Sequence, residues 1–291
     1  MAKIGWIGLG NMGAPICKSM MKAGQDIIVW NRTKAKAQPI LNDGAEWADS
    51  PKEIAEKCDF IFTIISDGQV LQSVNYGDNG IASGLSSGKI VIDMTTVSPE
   101  QSSKVNEIIE MKGCKFLRAP VTGDTELASK AQLGIFISGD IKSYEKTLHL
   151  LQKISTSQYY LGPGEEARIM KLIINMLSGV SMQVLAEAMV LAKKSGLDWQ
   201  KTIKAISVNP EVSALIQCRF QQLAKKQYDS AYSVIMMEND FDLALAAAKQ
   251  YGVSLPITAI TRQFLTAAHA KGKGEKDFSS LIELAEELSG I

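Results

Sequence analysis

A lysine in the middle of an apolar helix is an expensive residue, and Lys171 is one: its surroundings read Ile169-Met170-Lys171-Leu172-Ile173-Ile174-Asn175. An ammonium there needs a partner or a task, and giving or taking a proton at a reacting oxygen is such a task. A lysine whose stem snorkels along apolar surface leaves the same pattern, and the residues alone keep both readings open. Asn175 follows four residues later, so a helix puts both side chains on one face. A second constellation is Gly8-Leu9-Gly10-Asn11-Met12-Gly13, which has the spacing G-x-G-x-x-G. It follows a strand-like run and opens a helical pattern, the context in which this spacing holds a dinucleotide pyrophosphate. Gly8 permits the tight turn, Gly10 lets backbone amides approach the phosphates, and Gly13 lets helix and strand pack closely. The helix N-terminus then faces the phosphate charge. An ordinary strand-to-helix turn is the plainer alternative.

A third constellation is Trp30-Asn31-Arg32-Thr33, at the end of the second apolar run. A site selective for NAD usually has Asp or Glu here to hold the ribose 2′-hydroxyl. No acid is present. Arg32 is suited to a 2′-phosphate instead, with Asn31 and Thr33 as hydrogen-bond donors, so the expected cofactor is NADP, with NADPH preferred over NADH. A solvated arginine at a strand end is the alternative.

These residues need elements to hold them. The first half alternates apolar runs (Lys3–Ile7, Ile27–Trp30, Phe60–Ile65, Ile90–Ile92, Cys114–Leu117, Ile135–Ser138) with helical patterns such as Ala14–Ala23, Pro51–Lys57 and Pro99–Met111. That alternation predicts an α/β fold, a Rossmann-type mostly parallel sheet with helices on both faces. Gly162-Pro163-Gly164 is a loop signal. Beyond it, Glu165–Ser195 reads as one long helix, apolar nearly all round and therefore buried. Trp199–Ser207, Ala214–Lys225, Asp240–Tyr251, Ile257–Ala270 and Ser279–Leu288 are further helical segments. The expected organisation is a dinucleotide-binding domain over 1–162 and an all-helical domain for substrate and oligomerisation over 163–291.

Composition excludes other classes. In 291 residues, 31 basic and 31 acidic side chains cancel, so no net field attracts nucleic acid or an anionic membrane. No uninterrupted apolar run reaches the roughly 18 residues that suggest a membrane span. Cys17, Cys58, Cys114 and Cys218 are widely spaced, so free thiols in a reducing, cytoplasmic compartment are the expectation. With only His149 and His269, a histidine-based zinc site or a Ser-His-Asp triad is not expected. The Ala2–Ile7 run lacks the form of a secretory signal.

Taken together, the chain resembles the β-hydroxyacid dehydrogenase family, which includes 3-hydroxyisobutyrate dehydrogenase and glyoxylate or succinic semialdehyde reductase. The resemblance spans nearly the whole length. It rests on Ile7–Gly13, Asp93-Met94-Thr95-Thr96-Val97-Ser98-Pro99, Ala119-Pro120-Val121-Thr122-Gly123, Lys171 with Asn175, and Asp240 ahead of Leu243-Ala244-Leu245. It implies hydride transfer between a nicotinamide and a small oxo or hydroxy acid, with Lys171 handling the oxygen's proton and Asn175 orienting substrate and lysine. It implies that Thr95 and Thr96 meet the substrate carboxylate and the nicotinamide end of the cofactor, that Thr122 and Gly123 hold the acid, and that Asp240 belongs to the substrate site. Ile65, Ser66 and Asn239 complete the expected cofactor contacts. No metal is needed, since the lysine cation polarises the carbonyl. Relatives are dimers or tetramers, so a homodimer or homotetramer is expected, with a small-molecule substrate and neither nucleic acid nor membrane as partner. Ser98 suits an N-cap ahead of Pro99-Glu100.

The chain departs from the family's pattern in places. Asn239 stands where many relatives have lysine, Arg118 where many have an acid, and Asp124 where Gly or Ser is usual. Ile174 replaces an asparagine, and Glu165-Glu166-Ala167-Arg168 replaces a small-residue segment. Asp124 would put charge beside the acid site unless it points to solvent or pairs with Arg118 or Lys130. An imine reductase of the same fold, usually with Asp or Tyr in place of the lysine, and a non-catalytic dinucleotide-binding protein are the competing classes.

Overall fold

The computed structural model describes residues 3–212, 214–217, 219–229 and 232–291. The start of the Ala2–Ile7 run and the thiol of Cys218 lie outside the described residues. The chain divides into two compact units, Met1–Lys171 and Leu172–Ile291.

The first unit is built on nine strands: β1 (Ile4–Ile7), β2 (Ile27–Trp30), β3 (Glu46–Trp47), β4 (Phe60–Thr63), β5 (Ile90–Asp93), β6 (Lys115–Arg118), β7 (Val121–Thr122), β8 (Leu133–Ser138) and β9 (Ser155–Gly162). Their order is β3-β2-β1-β4-β5-β6-β8-β7, with β9 also paired to β8. From β3 to β6 every pairing is parallel, β8 runs antiparallel to β6 and β7, and β9 is parallel to β8. Ile7 pairs with Trp30 and Thr63, Thr63 with Asp93, and Asp93 with Arg118, so five strands end at one level. The loops after them share one edge, and the strand order reverses between β1 and β4, where such sheets bind ligands.

Eight helices accompany the strands: α1 (Gly13–Lys22), α2 (Gln38–Asn42), α3 (Pro51–Lys57), α4 (Gly68–Asn75), α5 (Ile81–Gly84), α6 (Pro99–Met111), α7 (Thr125–Ser129) and α8 (Ile141–Leu151). Both sheet faces are apolar, which is why the strands read as unbroken hydrophobic runs. Ile4, Trp6, Val29, Phe62 and Ile92 fill one core, and Ile7, Ile28, Ile61, Val91 and Phe116 the other. Ser98 caps α6 through a reciprocal capping box with Gln101, so that expectation holds.

The remaining helices are α9 (Glu166–Lys194), α10 (Trp199–Ser207), α11 (Ala214–Gln217), α12 (Phe220–Lys225), α13 (Val234–Tyr251), α14 (Pro256–Ala268) and α15 (Leu281–Leu288). The division between units falls inside α9. The core of the second unit gathers Met182, Leu185, Met189, Met237, Phe241 and Leu265. Ser233 caps α13, which therefore starts six residues earlier than Asp240, and Gly252 ends it in the left-handed conformation.

Two expectations are corrected. First, α9 is not buried all round: Ile173, Leu177, Val184 and Leu191 are exposed, and their spacing of four, seven and seven puts them on one stripe. By length and composition α9 could cross a membrane, but Lys171, Asn175, Gln183 and Glu187 interrupt it. Second, β3, β7 and β9 escape the hydrophobic pattern. They are short, or, like Ser155-Thr156-Ser157-Gln158, polar, and their pairing comes from the neighbouring strand rather than their own composition.

Candidate active site

At the end of β1 the glycines do separate jobs. Gly8 has φ +103°, and a Cβ on it would lie 2.0 Å from the Ile64 carbonyl oxygen. A Cβ on Gly13 would lie 2.3 Å from the Gly8 carbonyl oxygen. Both are thus required by close backbone approach. At Gly10 the space is open, as a phosphate drawn to backbone amides needs. No side-chain cap closes the start of α1, so its first N–H groups can meet an anion. This turn fits a dinucleotide pyrophosphate, with Leu9, Asn11 and Met12 as its remaining residues.

Asn31 is structural as well as adjacent. Its Oδ1 accepts from the Leu9 N–H at 3.0 Å, and its Nδ2 donates to the Thr33 carbonyl at 2.9 Å. The side chain pins the glycine turn to the end of β2. Arg32 and Thr33 are exposed, the former carrying a charge on the same edge. Ile65 is half-buried and Ser66 exposed; the Ser66 hydroxyl donates to Asp67, which caps α4.

The Asp93–Thr96 loop carries a buried network. Asp93 Oδ1 accepts from Thr63 Oγ1 at 2.5 Å and from Thr95 Oγ1 at 2.7 Å. Thr95 Oγ1 in turn accepts from the Ile65 N–H at 3.2 Å. The Thr95 hydroxyl is thus engaged within the fold, while half-buried Thr96 is the more open of the two. Arg168 pairs with Asp93 Oδ2, both side chains being fully buried. It also donates to the carbonyls of Asp93 at 3.3 Å and Thr95 at 2.5 Å, and to Ser102 Oγ at 3.2 Å. Burial pulls the Arg168 pKa down, and the carboxylates of Asp93 and Glu165 oppose that shift.

Two charged side chains of the first unit, Arg118 and Glu165, meet each other. Arg118 donates to Glu165 Oε1 from Nε at 2.8 Å and from Nη2 at 2.5 Å, and Ser103 donates to the same oxygen. Asp124 is exposed and caps α7, accepting from the Leu127 N–H at 2.9 Å; Lys130 pairs with Glu126. Gly123 has φ +124°, and Thr122 beside it is half-buried, its hydroxyl 3.4 Å from the Gly134 carbonyl.

In the second unit, Asn175 Nδ2 and the Tyr232 hydroxyl both donate to Asp240 Oδ2. Asn175 Nδ2 also lies 3.3 Å from the Tyr232 oxygen. Burial, then the Asp240 carboxylate, pushes the Tyr232 phenol well above 10, so it stays a donor. Asn239 is exposed on the same helix. Lys171 is only 9% exposed, one turn before Asn175 on α9. Tyr232 and Arg168 were missed from sequence. Arg168 could have been found by the argument used for Lys171, a charge on an apolar helix segment. Tyr232 leaves no such signal, because it precedes α13. Burial raises the thiol pKa values of Cys17 to about 12 and of Cys58 to about 11, which leaves neither a nucleophile.

Residues 3–162 match the model for the NAD-binding domain of 6-phosphogluconate dehydrogenase. Residues 166–285 match the model described as the NAD-binding of NADP-dependent 3-hydroxyisobutyrate dehydrogenase. The chain is 34% identical over 280 residues to glyoxylate/succinic semialdehyde reductase 2, chloroplastic, of Arabidopsis thaliana, covering 96% of this chain and 78% of that protein. Mycobacterium tuberculosis 3-hydroxyisobutyrate dehydrogenase, solved with L-serine, has the same fold at a TM-score of 0.89 and 24% identity, over 98% of this chain and 99% of that one. An imine reductase from Pseudomonas sp. is more distant, with a TM-score of 0.64 and 21% identity over 97% of this chain and 98% of that one. A glycine turn built for a nicotinamide dinucleotide, and matches that run through both halves of the chain, lead to one statement: this protein belongs to the β-hydroxyacid dehydrogenase family of NAD(P)-dependent oxidoreductases.

Proposed function

We propose that the protein is an NADPH-preferring reductase of short oxo acids, of the semialdehyde or glyoxylate kind, with Lys171 as its general acid. The observation that carries the reading is Lys171 itself, a lysine almost withdrawn from water on α9, at the position where the family resemblance puts the proton-transferring amine. A nicotinamide dinucleotide, its pyrophosphate at the Gly8–Gly13 turn and its nicotinamide end at the Thr95-Thr96 loop, would supply the hydride to the carbonyl carbon. The Lys171 ammonium donates its proton to the carbonyl oxygen as that oxygen becomes a hydroxyl, and the amine takes a proton back in the reverse direction. Thr96, Thr122 and the Gly123 N–H hold the carboxylate, and Asn175, set by Asp240, aligns the reacting centre. Arg32 favours a cofactor with a 2′-phosphate.

The exposed stripe on α9 and the family's habit support a homo-oligomer as the working form. Light scattering of the purified protein tests this. The imine-reductase alternative has the fold in its favour, but Lys171 stands where those enzymes usually have Asp or Tyr.

The deciding experiment follows NADPH oxidation across a panel of short aldehydo and keto acids, in the wild type and in Lys171→Ala. Turnover of at least one oxo acid is expected, with a loss on the order of 100-fold in the variant, a typical acid–base contribution. Cofactor binding should survive. Unchanged turnover in Lys171→Ala removes the lysine from the mechanism, and activity on a cyclic imine alone replaces the reading with the alternative.

A further inference from the structure

We propose that Arg168 is a positioning residue, locking the Asp93–Thr95 turn and the Ile65 loop onto the first turns of α9, from which Lys171 projects. The proposal rests on the reductase reading for its kinetic consequences, but its structural core stands on the first unit alone.

Arg168 spreads its fork over four acceptors: the Asp93 carboxylate, the Asp93 and Thr95 carbonyls, and Ser102 Oγ on α6. Two of these are backbone oxygens two residues apart, so the guanidinium fixes the path of the turn and not merely one side chain. The other Asp93 oxygen takes up the hydroxyls of Thr63 and Thr95. Thr95 passes the link on by accepting from the Ile65 N–H. A continuous series of hydrogen bonds thus joins the ends of β4 and β5 to α9. Lys171 is three residues after Arg168, on an adjacent position of the helix surface. The first turn of α9 is anchored separately, by the Ala167 N–H donating to Ser138 Oγ at 3.2 Å.

A buried ion pair is a poor way to gain stability, because desolvation offsets most of its attraction and apolar residues of similar volume do as well. What it supplies here is geometry. Apolar contact between α9 and the loop would permit sliding, whereas a planar fork with four directed bonds permits one arrangement. Lysine could keep the charge but not the fork. The same loop carries Thr96, so its placement relative to Lys171 is the distance that proton transfer and carboxylate binding must agree on.

The test uses the full chain with Arg168→Lys, and Thr95→Val as a second variant that leaves the ion pair intact. Amide hydrogen exchange is measured over peptides spanning 63–67 and 93–98, with β1 as internal reference, alongside steady-state kinetics. In Arg168→Lys, exchange in both segments should rise about tenfold or more while β1 keeps its protection, the mark of local rather than global opening. In Thr95→Val the rise should be confined to 63–67. The turnover number of Arg168→Lys should fall on the order of tenfold to a hundredfold, as a displacement near 1 Å does, with the KM for NADPH changed less than about threefold. Exchange that rises equally in β1, or in none of these segments, overturns the proposal and leaves Arg168 a stability residue. If the wild type reduces no oxo acid, the reductase reading fails while the exchange result still decides the role of Arg168.

Discussion

Gly179 is a residue of α9 packed closely against α13, and replacing it with alanine sets two effects of known size against each other. A Cβ at this position would lie 2.5 Å from Cε2 and 2.6 Å from Cζ of Phe241, and 3.1 Å from Met237 Sδ. Carbon atoms in good contact sit about 3.5–4.0 Å apart, so the ring must retreat by about 1 Å. Phe241 is fully buried in the core of the second unit and has little room to turn. Helix propensity alone favours the alanine by about 1 kcal/mol. Overpacking costs about 1–3 kcal/mol, so the balance runs from neutral to about 2 kcal/mol destabilising. At about 2–4 °C per kcal/mol for a chain of this class, thermal melting should fall by no more than about 8 °C. Activity should move much more. Asn175 is one turn before Gly179 and Asp240 immediately precedes Phe241, and those two side chains share a hydrogen bond. A shift of about 1 Å between the helices breaks that bond, and misplacement on this scale costs on the order of 100-fold in rate. The assay pairs a thermal melt with the turnover number for NADPH oxidation. A melting point raised as propensity alone demands, with turnover unchanged, would show that packing at Gly179 does not set the Asn175–Asp240 geometry.

Two further outcomes follow from single side chains. Arg32→Gln should raise the KM for NADPH about tenfold to a hundredfold, the worth of a hydrogen bond to a charged group, while the KM for NADH barely moves; equal effects on both cofactors would take Arg32 out of cofactor selection. Tyr232, held protonated by burial and by Asp240, has a folded pKa above its unfolded value near 10. Its contribution to stability is therefore whole below pH 10 and is lost as pH rises beyond it. Melting points from pH 8 to 11 should fall at the alkaline end, and fall less steeply in Tyr232→Phe, where the residual slope comes from other groups whose pKa burial raises, Tyr228, Cys17 and Cys58 among them. Parallel curves would show that Tyr232 does not control the alkaline limb.

The parts of the fold that were legible are those where one physical constraint dominates. Strands buried on both faces must be apolar throughout, so β1, β2, β4 and β5 announce themselves. The helix limits at Pro51–Lys57 and Pro99–Met111 follow from proline at the first position and serine before it. The glycine turn is legible because close backbone approach forbids a Cβ at Gly8 and at Gly13, while Gly10 leaves the space open. By contrast, β9 has a polar sequence and is made a strand by its partner β8. The stripe of Ile173, Leu177, Val184 and Leu191 reads as core in the sequence but is exposed, because hydrophobicity does not say what covers it. Tyr232 joins Asp240 across a turn, and no periodicity connects residues on either side of one. Asn31 shows a subtler limit: its type suggested a ligand contact, while its two hydrogen bonds serve the loop.

Arg118 at the end of β6 and Glu165 in the segment before α9 are two charges that the fold answers as one unit. Arg118 is only 4% exposed, so either charge alone would be buried without compensation. Together they form a two-bond pair on Glu165 Oε1, to which Ser103 also donates. Arg168 and Asp93 form a second pair in the same unit, and the four charges sum to zero. This division of labour bears on the substrate. Arg118, the basic side chain next to Ala119-Pro120, is committed to Glu165, and Asp124 is committed to capping α7. Neither guanidinium of the network has a surplus charge to offer an incoming carboxylate. On the proposed reductase reading, recognition of the acid would fall to neutral donors, the hydroxyls of Thr96 and Thr122 and the Gly123 N–H, whose reach is short and fixed. Such a site would select among oxo acids by where the carbonyl lies relative to the carboxylate, since hydrogen-bond geometry discriminates position more sharply than a mobile charge does.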